Sequence, residues 1–185
     1  MDLAAALTDL IPELTSDRLR FRAFSEADFD ATAAFFADDV SQFYGGPCDR
    51  DEAWRKFAVY SGHWMLRGWG PWAVERLDTG AFVGWVGPWC PEGWIEPEIT
   101  WALVLGQHGH GFATEAAGRT LRAAYELFGW TTAVSVVRTE NTASAGVARR
   151  LGATVERQIP FRGGVADVFR HRGPEDLASD TAAER

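Results

Sequence analysis

Cysteine is scarce in this sequence, with two residues among 185. Cys48 and Cys90 form no CxxC pair and lie in no spacing typical of a metal site. These observations argue against a disulfide framework and against a structural zinc site, so no metal is expected. We interpret the two thiols as reduced cysteines of a cytosolic protein.

Long apolar runs are also missing, since no stretch approaches the ~20 apolar residues that a transmembrane helix needs. The segment 1–6 lacks the basic start and the long apolar run of a signal peptide. Positive charge is in deficit, because the formal net charge is −8, whereas a nucleic-acid partner demands a basic face. These absences predict a cytoplasmic protein whose partners include neither a membrane nor a nucleic acid.

The length and composition suit one globular domain, with 46% hydrophobic and 24% charged residues. We expect a single domain over residues 1–185, with a core of about 17–171, a flexible N-terminal lead-in through residue 16 and a flexible C-terminal tail. Tryptophan is abundant, and seven of the nine lie from Trp64 to Trp101. Such a cluster fits either core packing or the wall of a cleft.

Hydrophobic periodicity predicts the element order β α α β β β α β α β β. In the first half, a strand over 18–24 precedes a helix that begins after Ser25, and Asp49 opens a second helix through about residue 67. Three side chains of this second helix are expected to be available for burial, namely Trp54, Ala58 and Met65.

In the second half, a strand over 98–104, a helix over 112–128 and a strand over 132–137 follow one another. Such a crossover unit joins two neighbouring parallel strands. A short helix over 141–151 and two final strands complete the chain. The sequence therefore predicts a mixed α/β sheet with one parallel crossover in its middle.

A glycine-rich stretch over 106–116 connects the strand and the helix of this crossover. Gly109 and Gly111 let the chain bend and let a ligand approach the backbone closely. Bare N–H groups and the positive end of the helix dipole make such a turn a phosphate site. We predict that the loop holds the pyrophosphate of a coenzyme.

The sequence resembles the GCN5-related N-acetyltransferase (GNAT) superfamily over residues 17–171, and more closely its RimJ/RimL-like branch of ribosomal-protein N-terminal acetyltransferases. This resemblance implies a mixed, mostly antiparallel, twisted sheet of about seven strands flanked by four helices. It also implies a V-shaped splay at the central parallel crossover. The blocks that carry the resemblance are Phe43–Pro47, Glu98–Trp101, Gly109–Ala116, Asn141–Ser144 and Arg150–Gly152.

In this superfamily the cosubstrate is acetyl-CoA, so the resemblance implies an acetyl-CoA-dependent transferase. The pyrophosphate would lie on the loop amides and the pantetheine arm along the strand end, where the Leu103 N–H would polarise the acetyl carbonyl. The implied cosubstrate contacts are Leu103, Val104, Leu105, His108, Gly109, His110, Gly111, Phe112, Ala113, Thr114, Asn141 and Ser144.

The sequence departs from the superfamily pattern at positions that matter for catalysis. Ala148 stands where many members carry a general-acid tyrosine, so Ser144 is the expected substitute, near the coenzyme sulfur. His110 replaces a usual lysine. Glu98 is the expected general base toward the amine, with Glu96 as the second candidate. For both Glu98 and Ser144, a purely structural role is a comparable alternative.

The acceptor is an amine, either a protein N-terminus or a small molecule, and the sequence leaves this choice open. Its determinants are expected in four segments (43–48, the second helix, 87–97 and 159–164), with Tyr44, Trp89 and Trp94 as candidate pocket residues. The tryptophans and the acidic charge suggest an acceptor with a cationic group. A homodimer is common in this superfamily.

Two other functions are alternatives. The missing tyrosine is compatible with a non-catalytic acyl-CoA-binding module of the same fold. A mononucleotide-binding protein fits poorly, because the loop lacks the GxxxxGK[ST] pattern of a P-loop.

Overall fold

The computed structural model describes residues 6 and 8–176 of the chain. Within this part, one eight-stranded sheet has the strand order β1-β2-β3-β4-β5-β6-β8-β7. None of the described helices combines the length and the apolar character that a membrane crossing requires. The strands are β1 Leu14–Thr15, β2 Leu19–Arg22, β3 Trp72–Arg76, β4 Phe82–Trp89, β5 Glu98–Leu103, β6 Val134–Arg138, β7 Thr154–Phe161 and β8 Gly164–Arg170, and the helices are α1 Phe29–Ala37, α2 Arg50–Arg67, α3 Phe112–Phe128 and α4 Thr142–Arg150.

The predicted fold class is confirmed, because the sheet is mostly antiparallel and four α-helices lie within the described residues. The strand count differs from the expected seven. The additional strand, β1, pairs antiparallel with β2 and lies inside the stretch that was expected to be an irregular lead-in. Its Leu14 is buried. The rest of the predicted flexible ends falls partly on residues 1–5, 7 and 177–185, outside the described residues.

The predicted crossover joins β5 through α3 to β6, and these strands are parallel. They share a single register pair, Glu98 with Val134, at the start of both strands. On its other side, β5 pairs with β4 along its whole length, from Glu98 to Leu103. The Ile99 carbonyl still accepts a hydrogen bond from Ser135 Oγ at 2.7 Å. Beyond Ile99 the edge of β5 that faces β6 is open, which produces the expected V-shaped splay.

Alternation along β5 divides the core between the two faces of the sheet. Ile99, Trp101 and Leu103 pack in the cluster that contains α3 and α4. Ala102 and Val104 pack in the second cluster, against α1 and α2. Glu98 shares the parity of Ala102 and therefore lies on the face that α1 and α2 cover. The splay is the place where side chains from the two faces can meet.

The buried face of α2 differs from the predicted one. Trp54 and Met65 are 44% and 68% exposed, and Ala58 is exposed as well, so the prediction for these three positions was wrong. The helix buries a different face, whose residues have the same three- and four-residue spacing. This face contains Phe57, which contacts Phe24 and Phe29, and it packs toward the sheet. The side chains that are actually buried are Ala53, Phe57, Tyr60, His63 and Trp64.

Helix ends follow the predicted chemistry. The Asp49 side chain accepts a hydrogen bond from the Glu52 N–H at 2.9 Å and begins α2. Ser25 and Asp28 form a capping box at the first short helical turn. Gly129 ends α3 in the left-handed conformation that glycine adopts most readily.

Candidate functional site

Two cavities open beside β5 and meet at the splay. The first, which we call the loop cavity, has a volume of about 590 Å³ and follows the glycine-rich turn before α3. The second, which we call the aromatic cavity, has a volume of about 200 Å³ and contains Glu98. The two cavities have five lining residues in common: Phe43, Tyr44, Trp101, Asn141 and Ser144.

The loop cavity is built on backbone geometry that needs glycine. Gly109 and Gly111 have φ angles of +83° and +80°, and Gly111 is the residue from which α3 begins. The first N–H groups of α3 have no partner within the helix, so they and the helix dipole favour an anion there. Nine of the predicted cosubstrate contacts line this cavity: Leu103, His108, Gly109, Gly111, Phe112, Ala113, Thr114, Asn141 and Ser144.

Three predicted contacts lie elsewhere. The Val104 side chain is buried in the core, and its N–H donates to the Val83 carbonyl at 2.9 Å. Leu105 is 47% exposed and does not line either cavity. The ring of His110 packs beside Phe112, with centroids 5.5 Å apart, instead of lining the cavity. The side chains at these three positions therefore do not form the wall of the loop cavity.

The direction of the Leu103 N–H follows from the strand register. In an antiparallel pair, residues alternate between hydrogen-bonded and non-hydrogen-bonded positions. Val104 is hydrogen-bonded to Val83 on the β4 side, so Leu103, opposite Gly84, is in a non-hydrogen-bonded position. Its N–H therefore points away from β4, toward the open edge of β5. This is the edge from which a backbone donor can reach a ligand in the splay.

Positive charge at the loop cavity comes from α4. Arg150 lines the cavity, and its Nε donates to Thr114 Oγ1 at 3.1 Å. Glu115 has a structural role, because it accepts hydrogen bonds from Ser16 Oγ at 2.7 Å and from the Arg18 N–H at 2.9 Å. Arg150 therefore places a positive charge beside the loop, which has His110 where a lysine is usual. This role of Arg150 was not predicted from the sequence.

Within the described part of the chain, Glu98 is the one carboxyl group that lines the aromatic cavity, and it is 5% exposed. Its Oε2 accepts a hydrogen bond from the Trp94 indole at 2.7 Å. Burial raises the pKa of Glu98 to about 8, while hydrogen bonds from Trp94 and the Val136 N–H, and the charge of Arg162, oppose the shift. A carboxyl group with this pKa can hold or release a proton near neutral pH.

Aromatic rings from five separate segments wall this cavity. They come from the turn after α1, from α2, from β4 with the loop that follows it, from β5, and from the end of β7. All four segments in which the acceptor determinants were expected contribute to this wall, whereas Trp85 and Trp101 lie outside them. The predicted pocket residues Tyr44, Trp89 and Trp94 all line it, together with Phe43, Tyr60, Trp85, Trp101 and Phe161.

Tyr44 and Ser144 meet where the two cavities join. Tyr44 approaches from the face of α1 and α2, and Ser144 from α4 on the other face. Burial raises the pKa of Tyr44, and the nearby Ser144 side chain opposes this shift. Ser144 Oγ also accepts a hydrogen bond from the Trp101 indole at 3.3 Å. The splay therefore holds the hydroxyl groups of Tyr44 and Ser144 near each other, at the junction of the two cavities.

The other candidate acid–base groups are engaged away from the cavities. Glu96 pairs with Arg157 and, at 2.7 Å, with Arg170; although burial opposes it, these two partners hold the pKa of Glu96 below its ordinary value. The imidazole of His63 bridges the Trp69 carbonyl and the Cys90 N–H. Neither residue lines a cavity, which leaves Glu98 as the carboxyl group at the splay.

Several residues that line the aromatic cavity were not predicted individually from the sequence. Lys56 and Tyr60 lie one helical turn apart on α2, a spacing that the misassigned burial pattern of this helix concealed. Arg162 lies in a turn that was predicted only as a segment. No local pattern distinguishes Trp85 from the other tryptophans, because its place depends on how β4 packs against α1 and α2.

Comparison with known proteins finds acetyltransferases by sequence and by structure. The family model described as an acetyltransferase (GNAT) domain matches residues 18–154. The uncharacterised N-acetyltransferase YoaA of Bacillus subtilis is 25% identical over 162 residues, which cover 84% of this chain and 92% of YoaA. A crystal structure of an acetyltransferase from Agrobacterium tumefaciens is 33% identical, with a TM-score of 0.81 over 88% of this chain and 95% of that one. The ribosomal-protein acetyltransferase RimL in complex with coenzyme A, 18% identical, shares the fold with a TM-score of 0.70 over 88% of this chain and 98% of RimL.

Proposed function

This chain belongs to the GNAT acetyltransferase family, as its sequence motifs predicted, and we propose that it transfers the acetyl group of acetyl-CoA directly to the primary amine of an acceptor. The observation that carries the proposal is the junction of the two cavities at Tyr44, Asn141 and Ser144, with the buried carboxyl group of Glu98 in one of them. A donor and an acceptor can approach from opposite sides of such a junction without a covalent enzyme intermediate.

Acetyl-CoA fits the loop cavity by the chemistry of its lining. The left-handed glycines and the first amides of α3 suit a pyrophosphate, and Arg150 adds a positive charge. Asn141 Oδ1 accepts from the Ser144 N–H at 3.1 Å, so its Nδ2 is the group that would donate to the pantetheine arm. The Leu103 N–H would stabilise the negative charge that develops on the acetyl oxygen.

Glu98 would act as the general base. An amine attacks the acetyl carbonyl only after it has lost its extra proton, and Glu98 is the carboxyl group in the cavity where that amine would lie. Its raised pKa lets the ionised form accept this proton near neutral pH, and Trp94 holds one of its oxygens in place. The new bond joins the amine nitrogen to the acetyl carbon.

Proton delivery to the leaving thiolate would pass through Tyr44 and Ser144. From the sequence, Ser144 or solvent was expected to supply this proton, in place of the tyrosine that Ala148 replaces. A phenol is a far stronger acid than an aliphatic hydroxyl group, so Tyr44 supplies the proton more readily and Ser144 orients or relays it. A tyrosine from the opposite face of the sheet thus compensates for the one missing from α4.

We expect Tyr44→Phe to lower kcat about tenfold, and Ser144→Ala to have a similar or smaller effect, because each variant removes one of the two hydroxyl groups at the junction while the base remains intact. Steady-state kinetics with a thiol-release readout measures this change. Tyr125→Phe is the matched control, since it removes a phenol that donates to the Arg172 carbonyl far from both cavities. Wild-type kcat in both Tyr44→Phe and Ser144→Ala would exclude this pair as the acid.

The proposed function is tested by thiol release from acetyl-CoA with a panel of primary amines, together with calorimetric titration of acetyl-CoA and ATP. The proposal predicts acetyl-CoA binding and amine-dependent thiol release. Tight acetyl-CoA binding without release for any amine would favour the non-catalytic acyl-CoA-binding module. Binding of ATP in place of acetyl-CoA would contradict both.

A further inference from the structure

Two positive side chains stand together at the rim of the aromatic cavity. Lys56 comes from α2 and Arg162 from the turn between β7 and β8, and both line the cavity that contains Glu98. A Cβ placed on Gly45 would lie 3.6 Å from Lys56 Nζ and 3.2 Å from Arg162 Nη1, so the two charged groups flank one small volume. Like charges so close repel each other, and an anion between them would remove that repulsion.

Arg162 is held in this position without a carboxylate partner. Among residues 8–176, no acidic side chain lies within ion-pair distance of it, and its guanidinium packs over the Trp94 and Phe161 rings at 5.8 and 5.2 Å. Its φ angle of +46° is the only positive value for a non-glycine residue in that range. Arg138 fixes this conformation by donating to the Arg162 carbonyl at 3.1 Å. Positive φ angles at both Arg162 and Gly163 are typical of the two-residue turn of a hairpin, so the β7–β8 turn sets the position of Arg162.

Lys56 is the only lysine in the sequence. Its ammonium group lies 3.5 Å from Glu52 Oε1 and 5.8 Å from the centre of the Phe36 ring. Because Glu52 is 43% exposed, this ion pair is weak and leaves the ammonium group free to bind a ligand.

The charge of the lining is positive overall. Three basic side chains line the aromatic cavity, namely Lys56, Arg162 and Arg138, of which Arg138 pairs with Glu140 at 3.2 Å. Among the described residues, Glu98 is the one carboxyl group in the lining. The acidic charge of the whole chain therefore does not extend into this cavity. The lining disfavours a cationic acceptor, which the composition had suggested, and favours an acceptor that carries an anionic group.

We propose that the acceptor is a small molecule that carries a carboxylate as well as its primary amine, in the manner of an amino acid, and that Lys56 and Arg162 bind this carboxylate. The inference rests on the acetyl transfer proposed above and specifies the acceptor of the same site. The volume of about 200 Å³ suits a compact molecule, and the aromatic walls suit the apolar side chain of such an acceptor. Glu98 then faces the amine while the rim holds the carboxylate.

The test compares acceptors that differ only in the carboxylate: L-phenylalanine with phenethylamine, and L-leucine with isopentylamine. Thiol-release assays give kcat/KM for the wild type, Lys56→Met, Arg162→Gln and the control Arg55→Gln, which alters an exposed charge next to Lys56 on α2. The wild type should prefer the carboxylate-bearing acceptors at least tenfold, and each of the first two variants should reduce this preference about tenfold. The control should keep it. The intrinsic reactivity of each amine is the same with every protein variant. A change in the kcat/KM ratio of the paired acceptors therefore reports only how the variant binds the carboxylate.

A second measurement separates this inference from the acetyl transfer itself. Quenching of tryptophan fluorescence gives the Kd of L-phenylalanine and of L-leucine for the protein saturated with CoA. In Lys56→Met this Kd should rise at least tenfold. Amino-acid binding of this kind without thiol release would support the anion site and contradict the transfer. Three results would each overturn the inference. They are turnover of amines with no preference for the carboxylate, a preference that is unchanged in both Lys56→Met and Arg162→Gln, and a stronger preference for peptides with a free N-terminus.

Discussion

Glu98→Gln is expected to lower kcat by a factor of about 10²–10³ at neutral pH, because the amide cannot take the proton of the attacking amine. The affinity for acetyl-CoA should stay within about twofold of the wild-type value, since Glu98 lines the aromatic cavity and not the loop cavity. The measurement is steady-state kinetics with a saturating amine, combined with calorimetric titration of acetyl-CoA.

Glu96→Gln is the matched control for this prediction. Glu96 lies two residues before Glu98 but is engaged by Arg157 and Arg170 outside the cavities, so its kcat should change little. A large loss of turnover in Glu96→Gln with a wild-type rate in Glu98→Gln would transfer the base role to Glu96, the second candidate from the sequence.

Thermal stability checks that the Glu98→Gln variant is folded. The pKa of this buried carboxyl group is raised to about 8 in the folded state, so the folded protein binds its proton more tightly than the unfolded chain does. The contribution of Glu98 to stability is therefore fully present below its unfolded pKa and is lost as pH rises toward 8. Above pH 8 the Tm of Glu98→Gln should equal or exceed the wild-type value.

Gly84→Ala is expected to lower the free energy of unfolding by about 3 kcal/mol or more. An alanine Cβ would lie 2.1 Å from the Ala102 carbonyl oxygen and 2.8 Å from Leu103 Cα, and its φ angle would be +143°. Because both neighbours are backbone atoms of β5, no side-chain rotation can relieve the clash. Denaturation in guanidinium chloride measures the change, and the same distortion should weaken acetyl-CoA binding along the Leu103 edge.

Substitutions at two other glycines show how much of the Gly84→Ala effect comes from the steric clash and how much from the positive φ angle alone. Gly80 has a φ angle of +69° and no atom near its Cβ position, so Gly80→Ala should cost only about 1–2 kcal/mol. Gly62 lies inside α2 with open space around it, and Gly62→Ala should stabilise the protein by about 0.5–1 kcal/mol. A cost for Gly84→Ala no larger than that for Gly80→Ala would contradict the close approach of β4 to β5.

Much of the donor side of the site could be predicted from the sequence because it depends on local backbone chemistry. Two glycines before an amphipathic helix determine where the loop amides point, and the strand–helix–strand order determines the crossover. The splay, and Glu98 beside it, were implied by the resemblance to the superfamily. The strand β1 was missed because two residues carry too little periodicity to be distinguished from a loop.

The acceptor side could be predicted only as four segments. Its lining depends on the rotation of α2 and on the turn between β7 and β8, which are set by tertiary packing. The pairing of Tyr44 with Ser144 joins residues 100 positions apart in the sequence across two faces of the sheet. The rim of Lys56 and Arg162 likewise arises from elements that have no local relation.

The most direct test of the account is the pH dependence of kcat/KM for the wild type and Glu98→Gln, measured with two acceptors whose amines differ in pKa. For the wild type, the account predicts a rising limb with an apparent pKa of about 8 that is the same for both acceptors. In Glu98→Gln this limb should be absent, leaving only the titration of each amine. A wild-type limb that follows the pKa of the amine, or one that persists in Glu98→Gln, would contradict the central claim that the buried carboxyl group of Glu98 is the base for acetyl transfer.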